Sequence, residues 1–146
     1  MKKVAFITGI TGMVGSHLAD FLLENTDWDL VGMCRWRSPL DNIAHLADRI
    51  NRDDRLKLVY ADLRDYIGIE QVIKEARPDF IFHLAAQSYP KTSFNSPLDT
   101  LDTNIQGTAR LLEAIRNHCP DSVVHVCASS EVFGRVPKEC LPISEE

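Results

Sequence analysis

No apolar run in the 146 residues approaches the roughly 20 needed to cross a bilayer as a helix. After Met1-Lys2-Lys3 only Val4-Ala5-Phe6-Ile7 stands before Thr8-Gly9 breaks the run, so neither a membrane span nor a signal peptide is expected. Cysteine is sparse: Cys34, Cys119, Cys127 and Cys140 form no C-x-x-C pair. Two of them lie in apolar strand-like runs, which predicts reduced thiols and a cytoplasmic protein. The five histidines are scattered without ligand spacing, so no metal site is expected. Positive charge is also short, at 16 Lys and Arg against 21 Asp and Glu, a net −5. No whole-chain field is available to hold a nucleic-acid backbone, and nucleic acid is not an expected partner. The composition that remains, 45% hydrophobic and 25% charged, is that of an ordinary globular protein. It predicts a single domain over 1–146 with a substantial core.

Short apolar runs alternate with amphipathic stretches along the chain. Val4 to Thr8 predicts a buried strand, and Met13 to Leu23 an amphipathic helix, with apolar residues at helical spacing. Leu30 to Cys34 predicts a second strand and Ile43 to Ile50 a second helix, behind Pro39. Leu56 to Ala61 and Ile69 to Ala76 follow as strand and helix, the helix ending before Pro78 because a residue preceding proline avoids the helical region. Phe80 to Leu84 is a fourth strand, about Pro97 to His118 a long helix, and Val123 to Ala128 a fifth strand, with irregular chain beyond Ser129. Parallel strands need crossovers and helices usually supply them, so the expected fold is α/β, a doubly wound parallel sheet of the Rossmann type, stopping after about the fifth strand.

The segment Thr8-Gly9-Ile10-Thr11-Gly12-Met13-Val14-Gly15 joins the first strand to the first helix. Free backbone N–H groups and the positive helix end favour a phosphate there. Gly9 suits a sharp turn, Gly12 leaves room for a pyrophosphate and Gly15 permits close packing of the helix. The spacing G-x-x-G-x-x-G is one residue longer than the G-x-G-x-x-G fingerprint. Which dinucleotide binds is decided at the end of the second strand, where an acid favours NAD. The residues are Gly32-Met33-Cys34-Arg35-Trp36-Arg37-Ser38, with no carboxylate, and Asp29 and Asp41 are too far along the chain to serve. Two guanidiniums suit a 2′-phosphate, so NADP is expected in preference to NAD.

Five segments occur in order: Thr8 to Gly15, Asp62-Leu63, His83-Leu84-Ala85-Ala86, Asn104-Ile105-Gln106-Gly107-Thr108, and Ser129-Ser130-Glu131-Val132-Phe133-Gly134. Together they resemble the extended short-chain dehydrogenase/reductases that modify nucleotide sugars, over essentially the whole chain. The resemblance implies that Asp62, with Leu63 beside it, contacts the adenine. It implies that Leu84, Ala85, Ala86 and Gln87 line the cofactor, and that Asn104 steadies strand ends. Epimerases of this family usually carry a small or hydroxyl residue where Glu131 stands, and 4,6-dehydratases an acid. A dehydratase oxidises C4, then takes a proton from C5 and water from C6, and therefore needs an acid/base there. By resemblance Glu131 fills that role, Ser129 bonds the sugar 4-hydroxyl, and Ser130 stands where thymidine-sugar dehydratases place an Asp. With Ala85-Ala86-Gln87-Ser88 and an arginine after the second strand, the chain is most similar to the GDP-mannose 4,6-dehydratase branch, which makes GDP-mannose the expected nucleotide sugar.

Family members follow this region with a Tyr-x-x-x-Lys helix. Here Tyr60, Tyr66 and Tyr89 are followed four residues on by Arg64, Glu70 and Ser93. The chain therefore reads as the N-terminal part of such an enzyme, inactive by itself. A nucleotide-sugar epimerase or reductase segment, and a non-catalytic dinucleotide-binding or interaction module, stand as alternatives. Family members commonly pair through helix bundles, so the resemblance leaves a homo-oligomer open.

Overall fold

The computed structural model describes residues 2–52 and 55–144. Five strands, β1 (Val4–Thr8), β2 (Asp29–Cys34), β3 (Leu56–Tyr60), β4 (Phe80–His83) and β5 (Val123–Val126), form one sheet in the order β3-β2-β1-β4-β5. Every neighbouring pair is parallel, with Thr8 level with Met33 on one side and with His83 on the other. This is the expected doubly wound sheet. Its helices are α1 (Met13–Asn25), α2 (Tyr66–Ala76), α3 (Pro90–Asn95), α4 (Pro97–Leu101) and α5 (Gly107–His118).

Alternation along β1 divides the core in two, because successive strand side chains point to opposite faces. Ala5 and Ile7 join Ala19, Leu22 and Leu23 of α1 on one face, while Phe6 joins Ile69 and Ile73 of α2 and Leu111 and Ala114 of α5 on the other. Both faces of the central strands are covered, as a parallel sheet requires. The C-terminal end of α1 is closed by Arg55, whose guanidinium donates to the carbonyls of Leu23, Thr26 and Trp28. That placement satisfies the Leu23 carbonyl, one of those α1 leaves open at this end, and sets a cation against the helix's negative pole. Trp28 is a packing residue, stacked on Phe80 with ring centroids 4.4 Å apart.

Two helix expectations need correction. Ile43 to Ile50 is not an α-helix: Asp41–Leu46 forms 3-10 turns, and Ile50 then bridges to Leu56. Burying both Ile43 and Leu46 against the α1 side is met by the i, i+3 alignment of a 3-10 helix, and the chain must then reverse through Asn51, at φ 58°, to enter β3. The long helix is continuous from α4 to α5 but contains a π turn over Asp102–Gln106, and α3 precedes it as a separate turn that the apolar spacing does not reveal. The helix α2 starts three residues earlier than expected, because the Asp65 carboxylate caps it by accepting from the Ile67 N–H at 3.1 Å.

One steric contact sets how closely the turn after β1 lies on β2. A Cβ on Gly32 would fall 2.3 Å from Ile10 Cδ1, and Ile10 is wholly buried. Gly32→Ala should destabilise the chain by about 1–3 kcal/mol through overpacking. Ile10→Ala should cost about 2–5 kcal/mol through the cavity it leaves. The double variant should cost clearly less than the sum in urea titrations, and strict additivity would refute the contact.

Candidate functional site

The strand order reverses between β1 and β4, and ligands of open α/β sheets bind outside the carboxyl ends of the strands at such a reversal. A cavity of about 560 Å3 opens at this place. The loop after β1 contributes Gly9, Thr11 and Gly12 to its wall, the loop after β2 Arg35 and Ser38, the loop after β3 Asp62 and Leu63, and the loop after β4 Leu84, Ala85, Ala86 and Gln87. Residues expected to meet one dinucleotide thus come together from four loops.

The glycine turn has the geometry its spacing implies. Gly9 leaves β1 at φ 73°, its N–H bonded to the Met33 carbonyl at 2.9 Å, and a Cβ there would lie 3.0 Å from the Ala85 backbone. Only glycine adopts this left-handed conformation without strain while letting another backbone pass so close. A Cβ on Gly15 would lie 2.3 Å from the Gly9 carbonyl oxygen, so the third glycine lets the first turn of α1 press onto the loop. Gly12 is the N-cap of α1 and brings no capping side chain, and the first turn holds no acid. The helix start therefore presents backbone donors and positive potential without an internal anion. Met13 and Val14, whose side chains are exposed, and the buried Gly15 do not line the cavity. The turn is steadied from the β2 side by Asn42, whose amide donates to the Thr11 carbonyl at 2.9 Å.

At the other end of the cavity lies a cluster of guanidiniums. Arg35 and Ser38 line both the main cavity and an adjoining hollow of about 350 Å3, whereas Arg37 lines only the hollow. Trp36 stands exposed beside them with its ring edge-on to Tyr60, at 5.1 Å between centroids. Asp41, set too far along the chain by the sequence, is returned to the cavity wall by the 3-10 turns. Asp62 is clasped by Arg64, which donates from its backbone N–H at 2.9 Å, from Nε at 3.1 Å and from Nη2 at 2.9 Å. Nη1 of the same guanidinium reaches Asp99 of α4 at 2.8 Å. The hydrogen-bonded guanidinium holds the Asp62 carboxyl below the usual carboxylate range, with the Arg35 charge acting in the same direction.

The wall after β4 has no regular structure and is held by side chains. The Leu84 and Ala85 N–H groups both donate to Thr8 Oγ1 at 3.0 Å, and Asn104 in the π turn clamps the Gln87 backbone, accepting from its N–H at 2.8 Å and donating to its carbonyl at 3.0 Å. The Gln87 side chain is turned inward, donating to Ser93 and Thr100 and accepting from the Tyr89 N–H. Sequence reasoning misses Thr8, Asn42, Arg64 and Asp41 in this site. Only Arg64 leaves a local signal, two residues after Asp62.

Ser129 and Glu131 follow β5 on the same sheet edge. Ser129 caps a 3-10 turn by accepting from the Glu131 N–H at 3.2 Å, and both residues are exposed and outside the cavity wall. The Ser130 side chain lies outside the described residues.

A parallel sheet in this order, with a glycine turn and helix start at the point of reversal, is the arrangement of the Rossmann-type class of folds. The family model described as GDP-mannose 4,6 dehydratase matches residues 6–146, and the chain belongs to that family. It is 43% identical over 141 residues to a GDP-mannose 4,6-dehydratase of Vibrio cholerae, covering 92% of this chain and 37% of that protein. It is 39% identical to the human GDP-mannose 4,6 dehydratase, covering 92% and 38%. Among solved structures it is similar to a UDP-N-acetylglucosamine 4-epimerase of Methanobrevibacter ruminantium in complex with UDP-N-acetylmuramic acid, at TM-score 0.79 and 29% identity over 99% of this chain and 43% of that one. It is also similar to the Thermus thermophilus UDP-glucose 4-epimerase in complex with NAD, at TM-score 0.75 and 28% identity over 92% and 40%. The chain thus spans under half the length of each of these proteins.

The Asp62–Arg64 clasp gives a titration test. Arg64→Gln should raise the Asp62 pKa toward its ordinary 3.8, read by carboxyl carbon NMR. Because the folded pKa is the lower one, the clasp stabilises above the unfolded pKa and that contribution is lost as pH falls through the folded value. The stability gap between parent and variant should therefore close on acidification below about pH 4. An Asp62 titration that Arg64→Gln leaves unmoved would refute the clasp.

Proposed function

We propose that residues 1–146 are one dinucleotide-binding domain, the cofactor-binding portion of an NADP-dependent GDP-mannose 4,6-dehydratase, a lyase working in the cytoplasm. The observation that carries the reading is the cavity at the strand reversal, which has the glycine turn at one end and the Arg35 guanidinium at the other, with Arg37 in the adjoining hollow. Among the described residues Arg35 and Arg37 make no ion pair, whereas Arg64 is neutralised by Asp62 and Asp99. Open guanidiniums suit a 2′-phosphate, which they can engage through charge-assisted bonds worth about 1.5–3 kcal/mol each.

The chain's residues fit a dinucleotide. Gly9 and Gly12 leave the space a Cβ would fill, Thr11, Met13, Val14 and Gly15 present backbone to a pyrophosphate, and Arg35, Arg37 and Ser38 take the 2′-phosphate. Asp62 and Leu63 border the adenine, and Leu84, Ala85, Ala86 and Gln87 wall the remainder. A nicotinamide bound here supplies reversible hydride acceptance for oxidation at C4 of the sugar and reduction at C6. Ser129 hydrogen-bonds the sugar 4-hydroxyl, and Ser130 takes the position where thymidine-sugar dehydratases place an Asp. Glu131 removes the C5 proton and delivers a proton to the leaving 6-hydroxyl, a role an exposed carboxylate gains once substrate covers it. Without a Tyr-x-x-x-Lys pair in this sequence the C4 hydroxyl proton has no acceptor, so the chain by itself should not turn over. A nucleotide-sugar epimerase is the second reading, favoured by the solved neighbours, and Glu131 counts against it.

The test is titration of the purified chain with NADPH and with NADH, followed by nicotinamide fluorescence and by melting temperature, since a ligand bound only by the folded state raises it. NADPH should stabilise the chain at lower concentration than NADH. Arg35→Ala should weaken NADPH about tenfold or more and leave NADH unchanged. Equal response to the two cofactors would overturn the NADP assignment, and response to neither would overturn the cofactor site.

A further inference from the structure

His83 is the one histidine buried among the described residues, 4% exposed at the end of β4, and it sits between two hydroxyls. Thr8 Oγ1 lies 2.9 Å from its Nδ1 and Thr108 Oγ1 lies 3.0 Å from its Nε2. The direction of each bond follows from what the hydroxyls do elsewhere. A threonine hydroxyl has one proton and two lone pairs. Thr8 already accepts the N–H groups of Leu84 and Ala85, both at 3.0 Å, which occupies both lone pairs. Its proton is left for His83 Nδ1, and that nitrogen must carry no hydrogen. The opposite end gives the same answer from different atoms. Thr108 donates its proton to the Asn104 carbonyl at 2.6 Å, so toward His83 it can only accept, and Nε2 must carry the hydrogen. One form of the ring satisfies both ends, the neutral imidazole protonated at Nε2.

We infer that His83 is a positioning residue, locked in the neutral Nε2–H tautomer, and that the chain of bonds from Thr8 through His83 and Thr108 to Asn104 fixes the 84–87 wall of the nucleotide cavity from both ends. The wall needs such a device because it makes no strand or helix of its own. Thr8 holds two of its N–H groups at one end, and at the other the Asn104 amide holds the Gln87 N–H and carbonyl. His83 joins the two anchors across the sheet, from β1 to the helical turn before α5. A second proton on the ring would point an Nδ1–H at a hydroxyl with no lone pair free, and burial lowers the pKa of this group in the same sense. The link to cofactor binding rests on the function proposed above, whereas the tautomer and the bond directions rest on this geometry alone.

The first measurement uses the unaltered chain, labelled with 15N, in long-range proton–nitrogen correlation spectra at neutral pH. His83 should show a pyridine-type Nδ1 and a pyrrole-type Nε2, and the reverse pattern or a charged ring would overturn the inference. The second compares amide hydrogen exchange in the parent, His83→Phe and His83→Asn. The phenyl ring keeps the bulk and removes both bonds, so Leu84 and Ala85 should exchange at least about tenfold faster while Phe6 and Ile81 in the strands keep their protection. His83→Asn retains an acceptor for Thr8 and should restore part of the protection at Leu84 and Ala85. Unchanged exchange at these two amides in His83→Phe would overturn the inference, as would loss of protection across the whole sheet with no recovery in His83→Asn. In the same series NADPH affinity should fall about tenfold in His83→Phe. Because the tautomer and exchange readings need no nucleotide, their failure is distinct from failure of the cofactor reading.

Discussion

The approach of the β4 exit to the β1 exit is the constraint on which the site depends. Two parallel neighbours whose connections leave in opposite directions open a crevice at their ends, but how wide it opens is decided by backbone packing. A Cβ on Gly9 would come within 3.0 Å of the Ala85 backbone, so the floor of the crevice is backbone against backbone. A side chain at position 9 would be strained at φ 73° and would press the Ala85 backbone away by a few tenths of an ångström. At the opposite end of the same two strands Asp79 accepts from the Val4 N–H at 2.8 Å and from Lys3 Nζ at 2.7 Å. β1 and β4 are thus tied together at both ends.

From that floor outward the tolerance grows. The central strands are buried on both faces, while β5 is an edge strand with Val123 and Val126 largely exposed. The helical rod from α4 to α5 buries Leu111, Ala114 and Ile115 against α2 and the sheet, yet presents Leu98, Leu101, Ile105 and Leu112 to solvent. The residues named for nucleotide binding lie over the rigid centre. Those named for sugar chemistry, Ser129 and Glu131, lie over the open edge. The cavity accordingly gathers most of the first group, without Met13, Val14, Gly15 and Arg37, and leaves Ser129 and Glu131 outside it.

What the sequence discloses follows the same gradient. Period-2 and period-3.6 apolar patterns report burial, and burial is what places five strands and the main helices, so these are legible. The glycine turn is legible because three glycines at a strand-to-helix junction serve little purpose except close backbone approach. The 3-10 turns at Asp41–Leu46 are not, since buried residues at i and i+3 fit an α-helix as well. The π turn at Asp102–Gln106 leaves no mark in the apolar spacing; its trace is the polar pair Asn104 and Thr108, whose partners lie 17 and 25 residues away. Asn42 is invisible for a similar reason, because an amide side chain gives no hint of which distant atom it will meet, and the same holds for the reach of Arg64 to Asp99. Polar positioning in this molecule is a property of the folded contacts, whereas apolar layering is a property of the pattern.

Charge shows how the two levels combine. A net −5 repels an anionic dinucleotide at long range, but exposed charges act over roughly 8 Å at physiological ionic strength, so the local balance decides. Around the cavity the acids Asp62 and Asp99 are both bonded to Arg64, which removes one guanidinium and two carboxylates from the field facing the ligand. Arg35 and Arg37 then make no ion pair among the described residues, although Asp41 shares the cavity wall with Arg35. Were Arg64 absent, Asp62 would face Arg35 directly and compete for it with a phosphate. The clasp therefore engages both carboxylates with Arg64, so neither is bonded to Arg35 among the described residues.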